Sequence, residues 1–383
     1  VTRVVVVGAG IGGLVAAVAL RRVGIDVEVY ERSPEPRVEG TGLSIMSNAV
    51  AALRGHGVEL ALEDRGRAIE SFHLNTFDGR PIRAVPVRSI GDRLGAPSVC
   101  VHRADLQQAL LEAAGDCPIA VGAVATGFTA DGDGVRVDFA DGRVARGDVL
   151  IGADGFHSAV RGQLVGPETP RDAGYACWLA TIPFAHKALP AGHVAHYWGR
   201  GSRFGLVDIG HGRAYWWGTR NNTTWDGTKE QVLRACDGWA DEVRAAVEAT
   251  PVEAIVGLAA RDRPFLRTWG DGPVTLLGDA AHPMLTSLGQ GAGMAVEDGV
   301  VLARCLAGAT DPRQALRRYE DERRARTRRM VRTSRALSRF EQAERPWARL
   351  VRDAAFRWMP EPLLHRQNAS AMTFPATTGT RST

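Results

Sequence analysis

The sequence predicts an α/β fold in which a helix-covered parallel sheet is interrupted by an inserted mixed or antiparallel β-sheet and followed by a long helix towards the C-terminus. Three observations carry this reading. Residues 4–7 are four consecutive valines, too few for a helix and suited to a strand buried on both faces, and they break at once into Gly8-Ala9-Gly10-Ile11-Gly12-Gly13. The pattern of apolar strand and then glycine returns at residues 149–155 and 274–279, each time with an aspartate at the break. Between those two returns, residues 175–267 hold six of the nine tryptophans in short strand-like pieces. With 383 residues, 45% of them hydrophobic, the chain can build one large or two moderate cores, and disorder is excluded as its dominant state.

Each element has a local reason. Residues 11–23 place Leu14, Ala17, Val18 and Leu20 among small alanines, a helix that packs closely on its sheet and ends at Gly24. Residues 27–30 form the next strand, which finishes at Glu31 and completes a strand–helix–strand unit. A helix is expected over 104–114, introduced by Val101-His102-Arg103, and a hairpin over 134–147 with Asp141-Gly142 at its turn. Strands follow at 149–151, at 204–209 and at 214–218, the last two around His211-Gly212-Arg213, and again at 274–279. Helices are expected over 291–306 and 312–342, the second with Leu316, Tyr319, Met330 and Leu337 on one face. Residues 367–383 lack periodicity and read as a loose tail. The domain expectation is residues 1–70, 100–173 and 271–345 for the parallel-sheet domain, 71–99 and 174–270 for the inserted sheet, and 346–383 for a terminal helix and tail.

Composition narrows the function. The net charge is +4, and nine arginines between Arg317 and Arg335 stand against only Glu320, Asp321 and Glu322, so one helix carries the basic surplus. That helix reads as amphipathic with solvated charges and with pairs such as Glu322–Arg326, and no nucleic-acid partner is expected. Five scattered cysteines without CxxC spacing argue for reduced thiols and against a disulfide framework or metal site. No apolar run reaches the ~18 residues of a spanning helix, and the first residues enter a strand rather than a leader, so no membrane association and a cytoplasmic setting are expected.

The chemistry lies in the three strand-to-glycine breaks. In the first, Gly8 permits the tight turn, Gly10 lets a pyrophosphate approach the backbone, and Gly13 allows close helix–strand packing, while Ile11 and Gly12 open the helix whose N–H groups face the phosphates. Glu31 can accept ribose hydroxyl protons and would repel a 2′-phosphate, so the unit is Rossmann-type and suits FAD or NAD; an ordinary strand–turn–helix with packing glycines is the bland alternative. In the third break, Asp279 stands at a strand's carboxyl end and Gly289-Gln290-Gly291-Ala292-Gly293 presents several N–H groups together, unless the aspartate merely caps a turn. In the second, Asp154 could cap the following helix and pair with Arg161.

The three stretches GAGIGG, GADGFHSAVR and GDAAHPMLTSLGQGAGMAVEDG, in this order, resemble the group A flavoprotein monooxygenases, the para-hydroxybenzoate-hydroxylase-like aromatic hydroxylases. The resemblance runs from the N-terminus to about residue 340. It implies a GR2-type FAD-binding domain with an inserted substrate-binding β-sheet domain, FAD as bound cofactor and NADH or NADPH as transient reductant. Gly8, Gly10, Gly13 and Glu31 would hold the adenosine diphosphate half, with Arg32 beside the ribose. Arg103 matches the family arginine that reaches FAD, and Ser44 and Val124 fall where other members touch it. Asp154 would serve FAD and the nicotinamide cofactor, Asp279 the ribityl chain, and Gly289, Gly291, Ala292 and Gly293 the isoalloxazine, with Pro283 beside it. The implied reaction is hydroxylation of a small substrate, expected to be aromatic, with O2 through a flavin C4a-hydroperoxide, by a monomer or homodimer.

On the substrate side, Arg203 and Tyr215 are the candidate catalytic residues, and Trp178, Trp198, Trp216 and Trp217 could touch substrate or serve as packing. His73, His102, His196 and His282 have no metal-ligand spacing and read as hydrogen-bonding residues. Purine-hydroxylating relatives carry an amide where this chain has Cys177, which speaks against a urate-type substrate. Epoxidation, Baeyer–Villiger oxidation or antibiotic inactivation on the same fold, and a non-catalytic FAD-binding redox regulator, remain as alternatives.

Overall fold

The computed structural model describes residues 2–35, 40–132 and 134–374. Its first layer is a five-stranded parallel sheet in the order Val274–Leu276, Val149–Gly152, Arg3–Val7, Asp26–Tyr30 and Ile119–Ala120. Val4, Val5 and Val6 are fully buried at its centre, as a strand covered on both faces requires. Helices Ile11–Arg22 and Gly291–Leu306 cross closely because Gly299 admits the neighbouring backbone: a Cβ there would lie 2.9 Å from the Ala16 nitrogen. The meander Ala125–Asp131, Gly134–Phe139 and Val144–Gly147 covers another side, and its Val144 to Gly147 arm is the expected hairpin return.

The second layer is a seven-stranded sheet in the order Val256–Asp262, Arg171–Pro183, Arg213–Asn221, Ser202–Gly210, His193–Trp198, Ser71–Thr76 and Pro81–Pro86. All neighbours are antiparallel except His193–Trp198 with Ser71–Thr76, which makes the sheet mixed. Successive side chains alternate between its faces. One face carries Trp178, Phe204 and Trp216 into a core closed by helices Lys229–Ala235 and Asp241–Glu248. The other face turns towards the parallel sheet. A three-stranded strip of Gly42–Ile45, Val99–His102 and Gly66–Ala68 lies between the layers.

Four expectations are corrected. The third apolar strand stops at Leu276, and residues 278–280 form a 3-10 turn with Gly278 at φ +62°. The tail is ordered further than its composition suggests: residues 361–372 form a helix whose Leu364 and Met372 are buried, and residues 375–383 of the expected tail lie outside the described residues. The long helix Pro312–Glu341 buries Leu316, Tyr319 and Met330 as its periodicity requires, but also Arg323 and Arg326, so its charges are not all solvated. Arg326 pairs with Glu297 at 2.7 Å and Glu322 with Arg304 at 3.3 Å, so the local Glu322–Arg326 pair gives way to partners on another helix.

Candidate active site

The site grows from the carboxyl ends of the parallel strands, where open α/β sheets bind ligands. Gly8 leaves its strand at φ +109°, and its N–H bonds the Tyr30 carbonyl at 2.7 Å. Gly13 is bare because a Cβ would lie 1.8 Å from the Gly8 carbonyl oxygen. Gly10 is bare for a different reason: no atom of the fold lies within 4 Å of where its Cβ would be, and it faces the cleft. It also caps the helix without a side chain, so the N–H groups of the first turn stay available to an anion. Glu31 accepts from the Ala9 N–H at 2.7 Å and the Ser33 N–H at 2.9 Å, which fixes the carboxylate to the turn and leaves each oxygen a further lone pair.

Two lobes form one cleft. The first, about 410 Å³, is lined by Gly8, Gly10, Glu31, Arg32, Arg103, Val124 and Asp154. The second, about 400 Å³, is lined by Ile11, Gly12, Ser44, Gly289, Gly291 and Ala292 and by part of the mixed sheet. Gly10, Arg103, Ala153, Gly155 and Asp279 belong to both walls, so the lobes are continuous. Gly13, Pro283 and Gly293 lie on neither wall; a Cβ at Gly293 would come 2.9 Å from the Gln290 side-chain oxygen, so this glycine serves packing. Gln107, whose amide reaches the Ala9 carbonyl at 3.2 Å, is a lining residue that no motif marked.

The two aspartates hold unspent polar capacity. Asp154 accepts from the Ala159 N–H at 2.7 Å through Oδ2, while its Oδ1 is buried without a partner in the protein. Burial pushes its carboxyl above the ordinary range against the bonds from Ser158 and the helix N–H groups. Arg161 does not pair with it. Instead Arg161 grips Glu168 at 2.7 Å and the carbonyls of Ala280 and Ala281 at 2.9 and 3.1 Å, tying the second motif to the third. Asp279 is exposed and lines both lobes of the cleft, where burial of its carboxyl by the surrounding protein raises it against the pull of His282 and Arg103.

Behind Asp279 lies a buried charge network. Asp298 accepts from the Gly278 N–H at 3.0 Å, bonds His282 Nε2 at 2.6 Å and receives Arg323 Nε at 2.6 Å. Arg323 and Arg326 also hold Glu297, which accepts from Asn48 at 2.7 Å, and Asn48 meets Gln290 of the glycine-rich loop at 3.0 Å. The loop on the cleft is thus fixed from beneath by the motif's own Glu297-Asp298 pair and two arginines of the long helix.

The mixed sheet supplies the last wall. In register, Cys177 and Leu179 pair with Thr219 and Trp217, and Tyr215 lies on the same face two residues along. All five line the second lobe, with Leu258, Met284, Leu285 and Thr286. Tyr215 sits on Gly42, where a Cβ would be 2.3 Å from its ring, and meets the Trp217 ring at 5.2 Å. Of the four tryptophans, Trp217 alone lines the lobe; Trp178 and Trp216 are core, the latter bonding Thr250 at 2.9 Å, and Trp198 packs on Phe356. Arg203 is 3% exposed behind the wall, salt-bridged to Glu341, and its other guanidinium nitrogen approaches the Thr286 hydroxyl at 3.4 Å. Burial pushes the Cys177 thiol up to about 11 and, with help from Arg203, the His196 imidazole down to about 3, while the Tyr215 phenol is raised. His73 stacks on His193, and His102 bonds the Gly40 carbonyl at 2.8 Å. No group of three or more His, Cys, Asp or Glu able to hold a metal occurs among the described residues, and none of their helices is long and apolar enough to cross a membrane.

Comparison with known proteins follows the same outline. A family model described as FAD binding domain matches residues 1–334. The aurachin C monooxygenase/isomerase of Stigmatella aurantiaca is 38% identical over 360 residues, covering 93% of this chain and 94% of that protein. The 6-hydroxynicotinate 3-monooxygenase of Pseudomonas fluorescens is 35% identical over 349 residues, covering 87% and 90%. Among solved structures, Klebsiella pneumoniae HpxO complexed with FAD and uric acid superposes with a TM-score of 0.91 at 28% identity, covering 97% of this chain and 96% of that one.

Proposed function

This chain belongs to the FAD-binding-domain family of FAD-dependent monooxygenases, and from that premise we propose that it hydroxylates a small aromatic ring held against Tyr215 and Trp217, using NAD(P)H and O2. The observation that carries the reading is the continuity of the cleft: a phosphate-ready helix N-terminus at one end and an aromatic sheet face at the other, joined through Arg103 and Asp279.

The residues fit the cofactor. Gly10 leaves backbone room for a pyrophosphate, Glu31 keeps lone pairs for the adenosine ribose, and the unpartnered Oδ1 of Asp154 and the cleft-facing Asp279 are acceptors for hydroxyl groups. Arg32, Ser44 and Val124 would flank the bound molecule, and Gly289, Gly291 and Ala292 would present backbone to its ring. Bound FAD supplies the redox chemistry, taking electrons from NAD(P)H and activating O2, so that one oxygen atom enters the substrate and the other leaves as water.

The protein's own part is to exclude water and place the ring. Leu179, Leu258, Met284 and Trp217 provide an apolar surface, and Thr219 and Thr286 offer hydroxyls at its edge. Tyr215, kept neutral by burial, can donate a hydrogen bond to a ring oxygen. Arg203 is a positioning residue: from behind the wall, paired with Glu341, it braces the Thr286 hydroxyl at the lobe's edge. Cys177 offers only a neutral thiol, a poor partner for the several polar edges of a purine, so the fit is to a less polar ring.

The test is purification with FAD and a panel of hydroxylated monocyclic and bicyclic aromatics, following NAD(P)H oxidation. A true substrate should accelerate oxidation and yield a hydroxylated product. Protein that retains no FAD would remove the basis of the proposal.

A further inference from the structure

The long helix Pro312–Glu341 uses Arg323 and Arg326 inward, beneath the cleft loop, but its outer face is not accounted for by the active site. There Arg324, Arg328, Arg332, Arg335 and Arg339 follow one another at intervals of three or four residues, so they stack along one side of the helix over roughly 22 Å. Like charges at this spacing oppose helix formation, and this helix carries a run of them without interleaved acids.

The stripe forms one wall of a groove of about 910 Å³. Arg267 and Arg171 extend its positive rim, and Phe265, Leu266 and Val331 give it an apolar floor. The acids present are already committed. Asp262, fully buried, is shared by Arg171 at 2.9 Å and Arg335 at 2.7 Å, and Asp321 is taken by Arg324. No described residue pairs with the guanidinium of Arg267, Arg328, Arg332 or Arg339.

We propose that this groove is a second ligand site, which binds the pyrophosphate group of a small phosphorylated molecule through Arg328, Arg332 and Arg339. Guanidinium forks match phosphoryl oxygens two at a time, which a lysine patch would not do. The volume is that of a small-molecule site, and the apolar floor suits the organic part of such a ligand. The groove and the second lobe each share a wall with one small cavity. This cavity is lined by Tyr175, Leu285, Arg335 and Arg339, and Ser334 of the same helix holds the Leu285 carbonyl at 2.5 Å. The site is independent of what the aromatic wall accepts.

The experiment uses FAD-loaded protein, so that the first pyrophosphate site is filled, and titrates inorganic pyrophosphate by calorimetry. Wild type should show saturable binding. The double variant R328Q/R332Q should bind about tenfold more weakly or less, as expected on losing charge-assisted bonds, with flavin content and melting temperature unchanged. R329Q removes the same charge from an exposed position outside the groove and should bind like wild type. Competition by NADPH or NADH, with a raised KM for that dinucleotide and unchanged kcat in the double variant, identifies the reductant as carrier of the group. Saturable pyrophosphate binding without such competition supports the site and assigns it to another phosphorylated molecule. Absence of saturable binding, equal weakening in R329Q, or binding seen only with duplex DNA and steeply lost with salt would overturn the proposal.

Discussion

Gly10 and Gly13 separate what a glycine does for the fold from what it does for a ligand. At Gly13 an added methyl would strike the Gly8 carbonyl, whereas at Gly10, with φ −71°, it would meet only open cleft. G13A should therefore lower the melting temperature and abolish FAD binding. G10A should melt like wild type yet bind FAD at least about tenfold more weakly, a contrast read by calorimetry and flavin fluorescence. Asp298 gives a second residue-scale prediction. Burial pushes its carboxyl up, but His282 and Arg323 outweigh this and hold it at about 2. Its folded pKa is thus depressed, so its stabilisation is complete above an ordinary carboxylate pKa of about 4 and is lost as pH falls towards 2. R323M, which strands Glu297 and Asp298 without their shared partner, should cost about 3–5 kcal/mol in urea denaturation. It should also loosen FAD, since Asp298 holds the Gly278 turn.

At the scale of elements, the strand-to-glycine breaks were legible because their rules are local: a short buried strand, a glycine the turn demands and an acid within a few residues. The mixed sheet was legible as a sheet, from its strand-like pieces at 204–209 and 214–218, but which of its side chains face the core and which the cleft was not, because both of its faces are covered. Trp216 and Trp217 are adjacent and equally apolar, and nothing in the sequence says that the first enters the core and the second the cleft. Arg203 was marked by its place with Tyr215 on facing strands, but its partner Glu341 lies 138 residues away, so its buried bracing role was invisible to spacing. The long helix misled in the same way: Arg323 and Arg326 seemed solvated until the Glu297-Asp298 pair of another helix reached them. The register yields a paired prediction. W216A should destabilise by about 3–5 kcal/mol with the KM for substrate little changed. W217A should change stability less but raise KM and divert NAD(P)H oxidation towards peroxide, as measured by the ratio of product to NAD(P)H consumed.

For the whole molecule, the two sheets divide the cleft: the parallel one ends in backbone and acids suited to a dinucleotide, and the mixed one turns a single face, with Tyr215 and Trp217, to the second lobe. On or beside that face burial pushes the Cys177 thiol up to about 11, the His196 imidazole down to about 3 and the Tyr215 phenol up, while across the lobe burial also raises the Asp279 carboxyl. A break in kcat/KM between about pH 5 and 9 that moves when the ring is fluorinated belongs to the substrate's own hydroxyl, the outcome expected; a break that stays fixed points to a protein group such as the cleft carboxyl of Asp279. Transfer of one atom of dioxygen to an aromatic ring in this cleft is read out by turnover under isotopically labelled dioxygen with mass analysis of the product. One labelled oxygen per product molecule is expected, formed only when both FAD and NAD(P)H are present. A product carrying unlabelled oxygen from water, or one formed without FAD, would contradict it.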